Sequence, residues 1–178
     1  MSKLLPVLTE NDIRTRVYSL AEQISADYQD KDLVLVGVLK GAFVFMADLI
    51  RQLSIPVTVD FIRVSSYGHA DTTSGTVELV ADITTDISGK EVLIVEDILD
   101  TGLTVKELIS RLAGRNPSSV KVCAFVDKYG RRQVDCEADY ACHRMKDGFL
   151  VGYGLDYAEQ YRHLPALFDL KNTISEEV

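Results

Sequence analysis

The chain has 178 residues, 47% of them hydrophobic and 26% charged, an ordinary globular mixture long enough to bury a core without staples. With 19 basic and 27 acidic residues the net charge is −8, which argues against a general nucleic-acid binder, since that role calls for a basic face. Three cysteines, Cys123, Cys136 and Cys142, lack paired spacing, MSKLLPVLTEND is too short and too soon acidic for a signal peptide, and no apolar run approaches the roughly 20 residues of a membrane span; the chain reads as cytoplasmic.

Residues 1–178 read as a single domain, with no repeat or linker. Thr9 followed by Asp12 predicts a helix N-cap, after which Ile13, Val17, Leu20 and Ile24 share one helical face. Leu33 to Val38 is a continuous apolar run, as in a strand buried on both faces. A helix is expected from Ala42 to Leu53 and a strand within Pro56 to Ser66. Tyr67 to Gly75 is polar, closes on a glycine and reads as a long loop. Val77 to Ile83 returns as a strand and Val92 to Val95 is a second buried run. A helix follows from about Val105, with Leu108, Ile109 and Leu112 on one face, and stops at Gly114, Asn116 and Pro117. Val120 to Val126 and a short Phe149 to Tyr153 complete the strands. Strands alternating with helices imply an α/β fold, a parallel sheet flanked by helices, with ligands at the carboxyl edge of the strands.

The string after the second buried run is Glu96-Asp97-Ile98-Leu99-Asp100-Thr101-Gly102-Leu103-Thr104. Thr101, Gly102 and Thr104 suit a phosphate cradle: glycine lets backbone N–H groups approach, hydroxyls donate, and the helix N-terminus adds positive charge. Carboxylates repel phosphate, so Glu96 and Asp97 are expected to face ribose hydroxyls or a hydrated magnesium ion, and Asp100 to accept a proton. Taken singly, each residue fits a strand-to-helix turn with capping Asp and Thr equally well. Gly152-Tyr153-Gly154 lacks the third glycine of a dinucleotide fingerprint, Tyr157 standing there instead, and Cys142-His143 lacks further metal ligands nearby.

The string EDILDTGLT resembles the phosphoribosyl pyrophosphate (PRPP) motif of the type I phosphoribosyltransferases, and its DTG core is similar to the branch that uses 6-oxopurines. Four more segments match the hypoxanthine-guanine branch in order, and Tyr161-Arg162-His163-Leu164-Pro165 is similar to its bacterial members. Leu39-Lys40-Gly41 resembles the pyrophosphate loop; alone it would be an ordinary turn. Ser65-Ser66-Tyr67-Gly68 resembles the start of the flexible loop that closes over the reaction centre; alone it would be a surface hairpin. Lys128 takes the place of the residue that donates to the purine 6-oxo group; alone, beside Arg131 and Arg132, it would be a solvated charge. Phe149 takes that of the ring that stacks on the purine, with Leu150 and Leu155 beside the base; alone Phe149 would be a core aromatic. Lys146 departs from the family, which often has Pro there.

The resemblance implies a purine salvage enzyme that moves ribose 5-phosphate from PRPP to N9 of hypoxanthine or guanine. It implies a hood built from the N-terminal residues and about 147–170. Asp100, Thr101, Gly102, Leu103 and Thr104 would bind the 5-phosphate, with Asp100 also the base near purine N7. Glu96 and Asp97 would hold the ribose; Lys40, Gly41 and Arg162 the pyrophosphate. Asp156, at the base site, with Glu96 and Asp97, would hold Mg²⁺. No nucleic-acid or membrane partner is implied, and a homodimer or homotetramer is. The rivals are a regulator that keeps the PRPP pocket without turnover and a transferase for another base; Lys128, Phe149 and the charge of −8 speak against the first, and Asp100 with Lys128 against a pyrimidine.

Overall fold

A computed structural model describes residues 2–66 and 77–172. The strands are β1 (Ser2–Leu8), β2 (Leu33–Leu39), β3 (Val57–Ser66), β4 (Val77–Ala81), β5 (Glu91–Leu99), β6 (Ser119–Lys128), β7 (Tyr140–Met145), β8 (Leu150–Val151) and β9 (Leu167–Asn172). The helices are α1 (Glu10–Asp27), α2 (Phe43–Gln52) and α3 (Leu103–Ala113). Six strands form one sheet in the order β4-β3-β2-β5-β6-β7. Five of them run parallel, and β4 pairs antiparallel with β3 at the edge. The expected parallel sheet is therefore mixed: only ten residues separate β3 from β4, fewer than the dozen or so that a parallel crossover requires.

Period-two alternation explains how the continuous apolar runs are used. Leu33 and Leu35 of β2, Leu93 and Val95 of β5, and Cys123 and Phe125 of β6 pack with Val17, Leu20 and Ile24 of α1 and Phe45 and Leu49 of α2. The intervening Val34, Val36, Val92 and Ile94 pack with Leu108 and Leu112 of α3. Each such fully buried aliphatic side chain stabilises by about 1.5–3 kcal/mol relative to exposure. Helix α1 starts where expected: the Thr9 hydroxyl accepts from the Asp12 N–H at 3.1 Å, and Asp12 Oδ2 accepts from the Thr9 N–H at 2.9 Å. The Thr9 hydroxyl, which also donates to Asp12 Oδ2 at 2.6 Å, and then the Thr9 N–H hold the Asp12 carboxyl below its usual range.

The smaller sheet, β1-β9-β8, joins the two ends of the chain. It adds Leu8, Leu150 and Leu167 to the α1/α2 side of the core. Strands β1, β7 and β9 are absent from the sequence reading. β7 and β9 mix polar with apolar residues, so neither forms an apolar run; the apolar stretch of β1 is interrupted by Pro6, tolerated because the strand pairs on one side only. No described helix is long and apolar enough to cross a membrane. All three cysteines are free and buried.

Candidate active site

Strands β2, β5 and β6 are parallel neighbours, so Lys40, Asp100 and Lys128 arrive together at their carboxyl edge. Strand β3 ends at the same edge with Ser65 and Ser66; Tyr67 and Gly68, the rest of that expected loop start, lie outside the described residues.

Helix α3 begins on an uncapped N-terminus. Its N-cap is Gly102 at φ 83°, without a side-chain cap, and its first turn holds no acidic residue. The alternative of a turn capped by Asp and Thr is thus not what forms; the Thr101 hydroxyl only reaches the Leu103 N–H at 3.4 Å. Glycine is required twice over: a Cβ at Gly102 would stand 2.9 Å from Val134 Cγ2, and φ is positive. Glu96, Asp100, Thr101, Gly102 and Thr104 line one small pocket here. First-turn N–H groups without a side-chain cap, with hydroxyls beside them, are chemically suited to an anion.

The structure separates Glu96 from Asp97. Neighbouring strand residues point to opposite faces. Glu96 lines the α3 pocket, 8% exposed, with Oε2 lacking a partner, and burial pushes its carboxyl well up. Asp97 lies on the other side: a Cβ on Gly41 would stand only 1.7 Å from its Oδ2. Burial pushes the Asp97 carboxyl up to about 6 against the Ile98 N–H bond; Arg162 opposes the rise and Asp156 adds to it. A single metal site made of Asp156, Glu96 and Asp97 is therefore not assembled: among the described residues no three such ligands cluster. Asp97 and Asp156, both near Arg162, share one side.

Lys128 is not a solvated charge. It is 6% exposed, its ammonium lies 3.0 Å from Asp100 Oδ2, and it donates to the Gly148 carbonyl at 3.2 Å. The other Asp100 oxygen is buried without a partner. Next to Gly148, Phe149 is 49% exposed, which ends the core reading; its ring meets Tyr157 edge-on at 5.4 Å. Leu150 and Leu155 differ: both side chains are buried in the core, so only their backbone can face a ligand.

Arg162 pairs with Asp156 at 2.7 Å and donates to the Gly154 carbonyl at 2.8 Å. Gly154 explains the GxG segment: at φ 100°, a Cβ there would stand 2.2 Å from the Gly41 carbonyl oxygen. The glycine lets the C-terminal segment close on the Lys40–Gly41 loop, whose Leu39–Lys40 peptide is cis.

Three residues escaped the sequence reading. Arg132, expected as a surface charge, is a half-buried hub: it donates to the carbonyls of Asp100 (3.1 Å) and Cys136, and to Asp127 Oδ1 at 2.5 Å. Asp127, an acid directly after the apolar run that forms β6, was the available hint, and the structure buries it, which requires a cation. Glu159 accepts from both Lys40 and Arg162, and no local pattern announces it.

A helix start suited to an anion, a carboxylate–lysine pair and an exposed aromatic ring gather at one sheet edge, an arrangement with the chemistry to take a phosphorylated ligand with a flat ring. Residues 8–158 match the phosphoribosyl transferase domain family, and the chain belongs to that family. It is 49% identical over 93% of its length to the hypoxanthine-guanine phosphoribosyltransferase of Aquifex aeolicus, covering 94% of that protein. The hypoxanthine phosphoribosyltransferase structure from Staphylococcus aureus superposes with a TM-score of 0.89 at 43% identity, over 93% of this chain and 90% of that one. That of Trypanosoma cruzi, in a ternary substrates complex, gives 0.87 at 40% identity, over 96% of each chain. These likenesses put the chain in the hypoxanthine and hypoxanthine-guanine branch.

Proposed function

We propose that this chain is a hypoxanthine phosphoribosyltransferase of purine salvage, making IMP, and GMP from guanine, with release of pyrophosphate. The observation that carries it is the uncapped start of α3 beside the half-buried Asp100–Lys128 pair. Thr101 to Thr104 take the 5-phosphate on free N–H groups and hydroxyls. Glu96 faces the same pocket, where a ribose hydroxyl would satisfy its unpartnered oxygen. Lys128 leaves Asp100 to donate to the purine 6-oxo group; adenine, with an amino group there, would leave it unpaired. Asp100 then accepts the N7 proton as the N9–C1′ bond forms and the bond from C1′ to pyrophosphate breaks. Phe149 covers the base, and Leu150 reads its edge through the backbone. The C1′ carbon becomes cationic, so nearby carboxylates favour the transition state.

Magnesium is the cofactor we propose. Two oxygen ligands on one side, Asp97 and Asp156, suit a hard cation that takes its remaining ligands from water and phosphates. The upward push on Asp97 is what a cation there would relieve. When bound, the metal supplies charge neutralisation for the departing pyrophosphate. Lys40, Gly41 and Arg162 hold that group. Residues 1–178 act as one domain, in the cytoplasm, as a homodimer or homotetramer readable by light scattering.

The test is turnover with PRPP and magnesium against hypoxanthine, guanine, xanthine and adenine. Activity on the first two with none on adenine is expected. No turnover of any base would turn the reading to a non-catalytic PRPP-binding regulator.

A further inference from the structure

We propose that Glu159 is a built-in stand-in for pyrophosphate: its carboxylate bridges the cations that would grip that group, and gives way when the ligand binds. The inference rests on the pyrophosphate reading above. Lys40 Nζ lies 3.1 Å from Glu159 Oε2, and Arg162 Nη2 lies 3.4 Å from Oε1. One oxygen for each cation is the arrangement that a phosphoryl group would reproduce. The two cations hold the Glu159 carboxyl below its usual range, Lys40 foremost, so it is an anion at neutral pH.

The backbone places it there at a cost. Tyr157 and Gln160 exchange both backbone hydrogen bonds, at 3.2 and 3.0 Å, and the two residues between them, Ala158 and Glu159, have φ of 50° and 62°. A two-residue turn with both central residues at positive φ normally takes Asn-Gly, because side chains are strained there. Keeping Glu at this position sacrifices backbone comfort to aim a carboxylate at Lys40 and Arg162. The Glu159 side chain is also 65% exposed, so both contacts are weak enough to be replaced by a stronger anion. Its N–H donates to Asp156 Oδ2 at 2.8 Å, which ties the turn to a proposed metal ligand. In the free protein Glu159 keeps the two cations in place; after the reaction it competes with pyrophosphate and speeds its departure.

The test is titration of inorganic pyrophosphate with magnesium by calorimetry into the wild-type chain, Glu159→Gln and Glu159→Asp. Gln removes the charge, and Asp keeps it but is too short to bridge both cations. Both variants are expected to bind pyrophosphate about three- to tenfold tighter, the reach of exposed ion pairs. Equal or weaker binding by Glu159→Gln overturns the inference. Tighter binding by Gln with no change in Asp also overturns it, since a nearby charge would then suffice. Wild-type chain that binds no pyrophosphate at all sinks the pyrophosphate site itself, and the inference with it; unchanged variants beside a binding wild type sink the inference alone.

Discussion

Lys128→Met tests the centre of the site because it keeps the side chain's bulk and removes only its charge. The Lys128–Asp100 separation is 3.0 Å, and the two side chains are 7% and 26% exposed. At that distance the attraction is about 5 kcal/mol for an effective dielectric of 20, most of it offset by desolvation. Removing the lysine leaves Asp100 with Arg131 at 3.6 Å and one buried oxygen already without a partner. A half-compensated carboxylate of this kind costs about 2–4 kcal/mol, towards the lower end because water still reaches Asp100. For a chain of this size the melting temperature should fall by roughly 5–15 °C, read by circular dichroism. Adding Asp100→Asn should restore about 1 kcal/mol or more, since a neutral amide needs no cation. A single variant that melts within about 1 °C of the parent, or a double variant no more stable than the single, would refute the reasoning.

Asp100→Ala should lower turnover by about 10²–10⁴-fold with PRPP affinity nearly unchanged; near-normal turnover would remove Asp100 as the base. Gly41→Ala puts a Cβ 1.7 Å from Asp97 Oδ2, so the carboxylate must move; steady-state turnover should drop by about 10²-fold, the usual cost of misplacing a site group by an ångström. Asp97, raised from 3.8 to about 6 in the folded chain, binds more protons folded than unfolded between those values. Stability is therefore lost as pH rises through that window. Asp97→Asn should gain up to about 3 kcal/mol near pH 8 and almost none near pH 4; melts at the two pH values that differ equally from wild type would count against this.

Arrangements within a few residues were legible in the sequence. Continuous apolar runs became the central strands, Thr9 and Asp12 became the reciprocal cap of α1, and the string from Glu96 to Thr104 became a strand end, a glycine cap and a helix start. Local sterics and hydrogen bonding decide such features, so no distant partner is needed to read them. The family resemblance added Lys128 and Phe149, which read alone would be a surface charge and a core ring.

Which groups share a space was decided only by the tertiary structure. Glu96 and Asp97 are adjacent in the chain yet face opposite sides of β5, because a strand alternates its side chains. Lys40 and Glu159 are 119 positions apart yet bridge at 3.1 Å, because the C-terminal segment closes on the β2–α2 loop through a glycine. Arg132 is half-buried and bonded to Asp127 because strand order brings the segment after β6 against the α3 cradle. Burial of a charge and the identity of its counter-ion depend on packing across the whole chain, and a local pattern carries neither.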